Sequence, residues 1–213
     1  MSDKESVIAA IHRAFETTEH PGDAFLQGSH EGCEPAEEVG PFRGRHDWRD
    51  IEAAFLDAHA GALSFFSEGG LRFFLPAYLV ADLRGQLSVA DPLFHLTHGF
   101  SDIEVKAPTK TRVFVIKSGR TAFVNPRRYG ALTFFDYARF RLSVFTKEEA
   151  AAIVGYLGYR RDQDPEGQQR AAIDAALGVF WRERAEAAAP AEALHRHVRE
   201  QEEYLVAIRP EGC

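Results

Sequence analysis

His95 and His98 stand three residues apart. On a helix that spacing puts both imidazoles on one side, and a zinc site can begin that way. Zinc still needs a third and a fourth ligand. Asp102 and Glu104 follow in sequence, but past Gly99 and in no recognised ligand arrangement. The competing reading is that the two rings cap a helix end, where partial negative charge favours a proton donor. The ligand count favours that reading. His195 and His197 are two apart and would not face each other on a helix. No metal and no cofactor is expected from either pair.

Nucleophilic catalysis has no better footing. Ser64, Ser67 and Ser101 lack a flanking G-x-S-x-G, the strand-to-helix turn that exposes a catalytic serine. Neither a phosphate loop nor a dinucleotide fingerprint occurs. Cys33 carries no pattern that marks a low-pKa thiol. The carboxylates of residues 19–57 are plentiful but scattered, as in a solvated acidic face. The chain is therefore expected not to be an enzyme, and no catalytic residue is assigned.

Charge is the feature above background. The chain carries 25 Lys and Arg against 32 Asp and Glu, a net charge of −7. Residues 106–141 hold nine of those cations and a single acid, Asp136. Arg112, Lys117, Arg120, Arg127, Arg128, Arg139 and Arg141 are expected to share one face as a partner-binding surface. Phe114, Phe123, Tyr129, Phe134, Phe135, Tyr137 and Phe140 are interleaved with them. Cations among aromatics are what single-stranded nucleic acid uses, through phosphate contacts and base stacking. An acidic protein surface fits the same face, and so does neutralisation by the acidic N-terminal half of the chain. A pI near 5.7 opposes a general nucleic-acid binder.

The elements that must carry these residues are mostly helical. The densest apolar run, Leu63 to Leu83, reads LSFFSEGGLRFFLPAYLVADL. A membrane span needs about 20 predominantly apolar residues, and Glu68, Arg72 and Asp82 interrupt this one, so no membrane is expected. Ser67 suits a helix N-cap. Leu71, Phe74, Leu75, Tyr78 and Leu79 recur at helical spacing. Pro76 predicts a kink or a fresh helix start, and Gly85 a stop.

Ser2 and Glu5 have the spacing of a capping box before Ile8, Ile11 and Phe15. Residues 17–45 lose periodicity and read as a long surface loop, a length that implies function or mobility. Asp47 predicts a helix carrying Trp48, Ile51 and Phe55 and ending at Gly61. Asp91-Pro92 is a helix start, closed by Gly99. RVFVIK and TAFVN alternate around Ser118-Gly119 as a hairpin would, and ALTFF follows as a further β-prone stretch. Thr146 and Glu149 form another capping-box pair before Ile153, Val154 and Leu157. Asp164-Pro165 opens a last helical region with Ile173, Leu177, Phe180 and Trp181.

HDWRDIEAAF, LSFFSEGGLRFFLPAYLVADL, FHLTHGF and FRLSVFTKEEAAAIVGYLGY together resemble an uncharacterised bacterial family of unknown function. The resemblance lies in an Arg-aromatic-aromatic-Leu-Pro-Ala-Tyr-Leu motif. The matching positions are Trp48, Arg72, Phe73, Phe74, Leu75, Pro76, Ala77, Tyr78, Leu79 and Leu157. It covers most of residues 5–160, with the basic β segment as an elaboration. It implies no activity.

The fold expected is α+β and mainly helical, with a small antiparallel sheet or hairpin in residues 103–135. A globular domain should span residues 1–160, with a C-terminal helical appendage over 161–213. Two cysteines without a disulfide framework, and no signal peptide at the N-terminus, point to the cytoplasm. The function expected is that of a non-catalytic interaction protein binding a protein partner through residues 106–141. A nucleic-acid-binding module is the alternative, and an uncharacterised enzyme the third reading.

Overall fold

The computed structural model describes residues 3–100, 104–108, 113–117, 134–164, 166–167, 169–187 and 191–207. The described chain is mainly helical and is organised around one buried helix. α1 spans Lys4–Ala14, α2 Glu34–Val39, α3 Ala53–Ala58 and α4 Ala62–Phe65. The central α5 is Glu68–Leu83, and α6 is Pro92–Thr97. Two short strands follow, β1 Glu104–Pro108 and β2 Val113–Lys117, antiparallel with Glu104 opposite Lys117. Then come α7 Phe134–Leu142, α8 Lys147–Asp162, α9 Arg170–Ala176, α10 Arg182–Glu186 and α11 Ala191–Ala207. A π-helical turn, Leu177–Trp181, joins α9 to α10. Among the described residues no helix is long and apolar enough to cross a membrane.

α5 is apolar on all sides, and a helix of that kind belongs inside a core. Phe73, Phe74, Leu75, Tyr78, Leu79 and Val80 are all buried. The Ser67 hydroxyl accepts the Gly70 amide at 2.9 Å and starts the helix. Pro76 neither ends it nor begins another, because α5 runs on to Leu83. Packing on every side compensates for the one N–H that proline lacks. The end is a Schellman motif. Gln86 N donates to Ala81 O and Gly85 N to Asp82 O, with Gly85 at φ +69, where a side chain would be strained.

Helix starts differ in detail from the sequence pattern. Ser2 lies outside the described residues, and Asp3 caps α1, accepting the amides of Glu5 and Ser6. Asp47 caps only a 3-10 turn, Trp48–Asp50. Ile51 and Glu52 are extended there, so the expected single helix breaks and Gly61 heads α4 instead of closing α3. The break lets Trp48 reach the His12 ring at 5.0 Å while Phe55 reaches Phe42 at 4.9 Å. Asp91 caps α6 through the Phe94 amide. The Thr146–Glu149 capping box at the head of α8 forms in full.

Residues 17–45 are not a surface loop. They contain 3-10 turns at Asp23–Phe25 and Gly40–Phe42 as well as α2, and they bury Leu26, Val39 and Phe42. Ser67 N donates to Leu26 O and Gly28 N to Phe65 O, both at 2.7 Å. A few isolated anchors hold this segment, which is why no periodicity announces it.

Phe134 and Phe135, read as β-prone, begin α7. Their aromatic rings pack equally well on a helix once His98 and Phe100 lie beside them, at 5.0 and 6.1 Å. Asp164 does not open a helix directly. Its carboxylate accepts the amides of Gln169 and Arg170, and α9 begins there. The expected C-terminal appendage belongs to the main core. Ile173 and Trp181 are fully buried, and Trp181 Nε1 donates to Leu96 O at 2.8 Å. Gln201 of α11 accepts the Glu68 amide at the head of α5.

Candidate functional site

Of the seven cations expected on one face, Arg112, Arg120, Arg127 and Arg128 lie outside the described residues. Lys117 ends β2. Arg139 and Arg141 both sit on α7 and part company there. Residues two apart on a helix point in different directions. Arg139 is exposed, its guanidinium 5.6 Å from the Phe135 ring centre. Arg141 is only 8% exposed. It donates to Leu63 O at 2.5 Å, to Phe66 O at 3.5 Å and to the Tyr137 hydroxyl at 3.4 Å. These carbonyls close α4, whose last C=O groups have no partner within the helix. Arg141 is therefore the anchor of α7 and not part of an exposed face.

A second buried arginine completes the anchorage. Arg184 donates to Phe145 O at 2.8 Å and Ser143 O at 2.5 Å, carbonyls just past the end of α7. At the other end, Gly99 adopts φ +90, and a Cβ there would lie 2.7 Å from Phe134 O. Only glycine lets the chain approach so closely. Gly99 and Phe134 thus lie side by side, although residues 101–133 separate them in sequence.

Glu149 and Asp82 are structural. Glu149 is 1% exposed. Its carboxylate accepts from Arg72 Nε, the Thr18 hydroxyl and the Thr146 amide. Asp82 accepts from Arg160 and from the Tyr156 hydroxyl. Arg72 and Asp82 interrupt the apolar run because each is needed to tie α5 to α8.

His95, in the last turn of α6, and His98, the extended residue that caps its end, are aromatic packing groups. His98 stacks on Phe94 at 4.6 Å, and His95 meets the same ring edge-on at 5.3 Å. Burial pushes the His95 imidazole down to about 3, with Arg141 and His98 adding to the shift. Burial lowers His98 too. Cys33 is exposed and free at the head of α2.

One cluster was not read from the sequence. His20, Asp23 and His46 converge, their candidate donor atoms all within 4.8 Å of one another. His46 Nε2 lies 3.6 Å and His20 Nε2 3.9 Å from Asp23 Oδ1. The two rings stack at 4.6 Å. His20 is wedged edge-on against Phe73 at 4.8 Å and Phe74 at 5.9 Å, its side chain 10% exposed. The Gly22 amide donates to its Nδ1 at 3.0 Å. Its Nε2 is buried with no hydrogen-bond partner among the described residues. Burial, and then the neighbouring His46, hold this imidazole below its usual range, while Asp23 pulls it upward. Asp23 also accepts the Gly44 amide, tying the two turns together. The Pro21-Gly22 turn between His20 and Asp23 was the available sign; nothing in the sequence pairs them with His46.

No family model, no curated protein and no solved structure matches the chain.

Proposed function

We propose that this protein is a non-catalytic interaction module that binds an acidic protein surface through residues 106–141. The observation that carries the reading is charge segregation. Those residues hold nine cations and one acid, leaving 16 cations and 31 acids in the rest of the chain. Such separation steers an oppositely charged partner and sets its orientation.

The fold supports presentation of this segment. Gly99, just ahead of this segment, meets Phe134 within it, and buried Arg141 and Arg184 fasten α7 at its end. Arg139 faces solvent beside Phe135. Some of the body's acids pair with the body's own arginines, as in Arg72–Glu149, Arg160–Asp82 and Arg161–Asp174. In this reading β1 and β2 belong to a small antiparallel sheet ahead of α7 that displays the remaining cations, and the protein works in the cytoplasm. The interleaved aromatics favour a second reading, single-stranded nucleic acid, which uses the same two residue types.

The test is fluorescence anisotropy of the full chain with a labelled polyglutamate peptide and with single-stranded DNA, at low and high salt. The expected result is peptide binding that weakens in an Arg127→Glu/Arg128→Glu variant whose circular dichroism is unchanged. Peptide binding unaffected by that reversal, or absent, overturns the reading. Tighter, steeply salt-dependent DNA binding, lost in the same variant, replaces it with the second.

A further inference from the structure

We infer that His20, Asp23 and His46 form a binding site for a first-row divalent cation of the zinc type, which staples the 20–23 turn to the 44–46 turn. This site is independent of the basic segment. Two imidazoles and one carboxylate are a donor set suited to zinc, iron, cobalt or nickel, and not to magnesium or calcium, which prefer oxygen alone.

The geometry is close to what a cation requires. Metal–donor bonds of about 2.0–2.1 Å place neighbouring donor atoms roughly 3–3.5 Å apart. Asp23 Oδ1 already lies 3.6 and 3.9 Å from the two Nε2 atoms. His46 is the mobile member, its side chain 65% exposed, so it can close the remaining gap by a rotamer adjustment. His20 is the fixed member, clamped against Phe73 and Phe74.

The second observation is the orphaned Nε2 of His20. A buried polar atom without a partner is costly and asks for an explanation. Its side chain is nine-tenths buried, and Nε2 lies among the cluster's other donor atoms. A cation supplies the missing partner.

The Gly22 amide sets the strength of the site. It donates to Nδ1, so the neutral ring holds its proton on Nε2, where the cation must go. Loading therefore switches the tautomer: the proton leaves Nε2, the ring takes one up on Nδ1, and the Gly22 amide turns to water. Ligating histidines are usually held by an acceptor on the far nitrogen. Lacking that support, this site should bind zinc less tightly than a purpose-built structural site. Three protein donors leave a coordination position to solvent.

The experiment is calorimetric titration of the chelator-stripped full chain with zinc, alongside the melting temperature with and without zinc. The expected result is one equivalent bound and a higher melting temperature. His46→Ala removes an exposed ring and should fold normally, yet lose at least about tenfold in affinity. Asp23→Asn keeps an oxygen for the Gly44 amide, and should lose affinity in the same way. Cys33→Ser should bind as the parent does. No binding by the folded chain, or binding that survives His46→Ala or is lost in Cys33→Ser, overturns the inference.

Discussion

Arg72 Nε lies 2.9 Å from both carboxylate oxygens of Glu149, a group 1% exposed. The pair joins the central helix to the capping box of α8 and, through Thr18, to the start of the 17–45 segment. Removing one partner of a buried pair leaves an uncompensated charge, which costs about 3–5 kcal/mol. Glu149→Ala should therefore destabilise by about that much. In a double-mutant cycle with Arg72→Ala, read by urea unfolding, the two losses should fall well short of adding. Full additivity would show that the two groups do not act together.

Phe74 is fully buried and meets Phe42, Phe66 and Phe73 at 4.9, 5.2 and 4.9 Å. Phe74→Ala should cost about 3–5 kcal/mol, because the rigid rings around it cannot collapse into the cavity. An unchanged melting temperature would mean that the central helix packs differently.

Arg139 and Arg141 should answer opposite questions. Arg141→Met strips the Leu63 and Phe66 carbonyls of their donor and should cost about 1–3 kcal/mol. Arg139→Glu, on an exposed position, should stay within about 0.5 kcal/mol of the parent while weakening binding to an acidic peptide. Thermal melts of both variants decide it. Equal losses would remove the distinction between anchor and contact residue.

His95 makes stability depend on pH in a definite direction. Burial lowers its folded pKa to about 3, from the ordinary 6.5 of an imidazole. Between those values the unfolded chain binds a proton that the native chain does not. Stability is therefore complete above pH 6.5 and falls as pH drops, by about 1.4 kcal/mol per unit from this group. His12, His20 and His98 are shifted the same way. Urea unfolding between pH 7 and 5 should show the loss, and His95→Gln should flatten it. An identical pH slope in that variant would show that His95 is protonated in the native state.

Trp181 ties the C-terminal helices to α6 through Leu96 O. A chain ending at residue 164 would expose the side of the core that Ile173, Leu177, Phe180 and Trp181 cover. That truncation should fail to give a cooperative unfolding transition. A normal melt would restore the domain boundary expected near residue 160.

What the sequence determined by itself were the local contests between a side chain and its own backbone. Ser67, Asp91 and the Thr146–Glu149 box head their helices, and Gly85 ends α5, because each answer lies within a few residues. The apolar face of α5 was legible for the same reason.

Tertiary structure decided everything that depends on distant partners. Pro76 stays within one helix because the core holds α5 from all sides. Residues 17–45 fold onto α4 and α5 through isolated anchors that carry no period. Arg139 and Arg141 look alike in sequence, yet only Arg141 meets the open carbonyls at the end of α4. His46 joins His20 and Asp23 from more than twenty residues away. Spacing along a chain records which groups share an element, whereas burial and convergence depend on which elements meet.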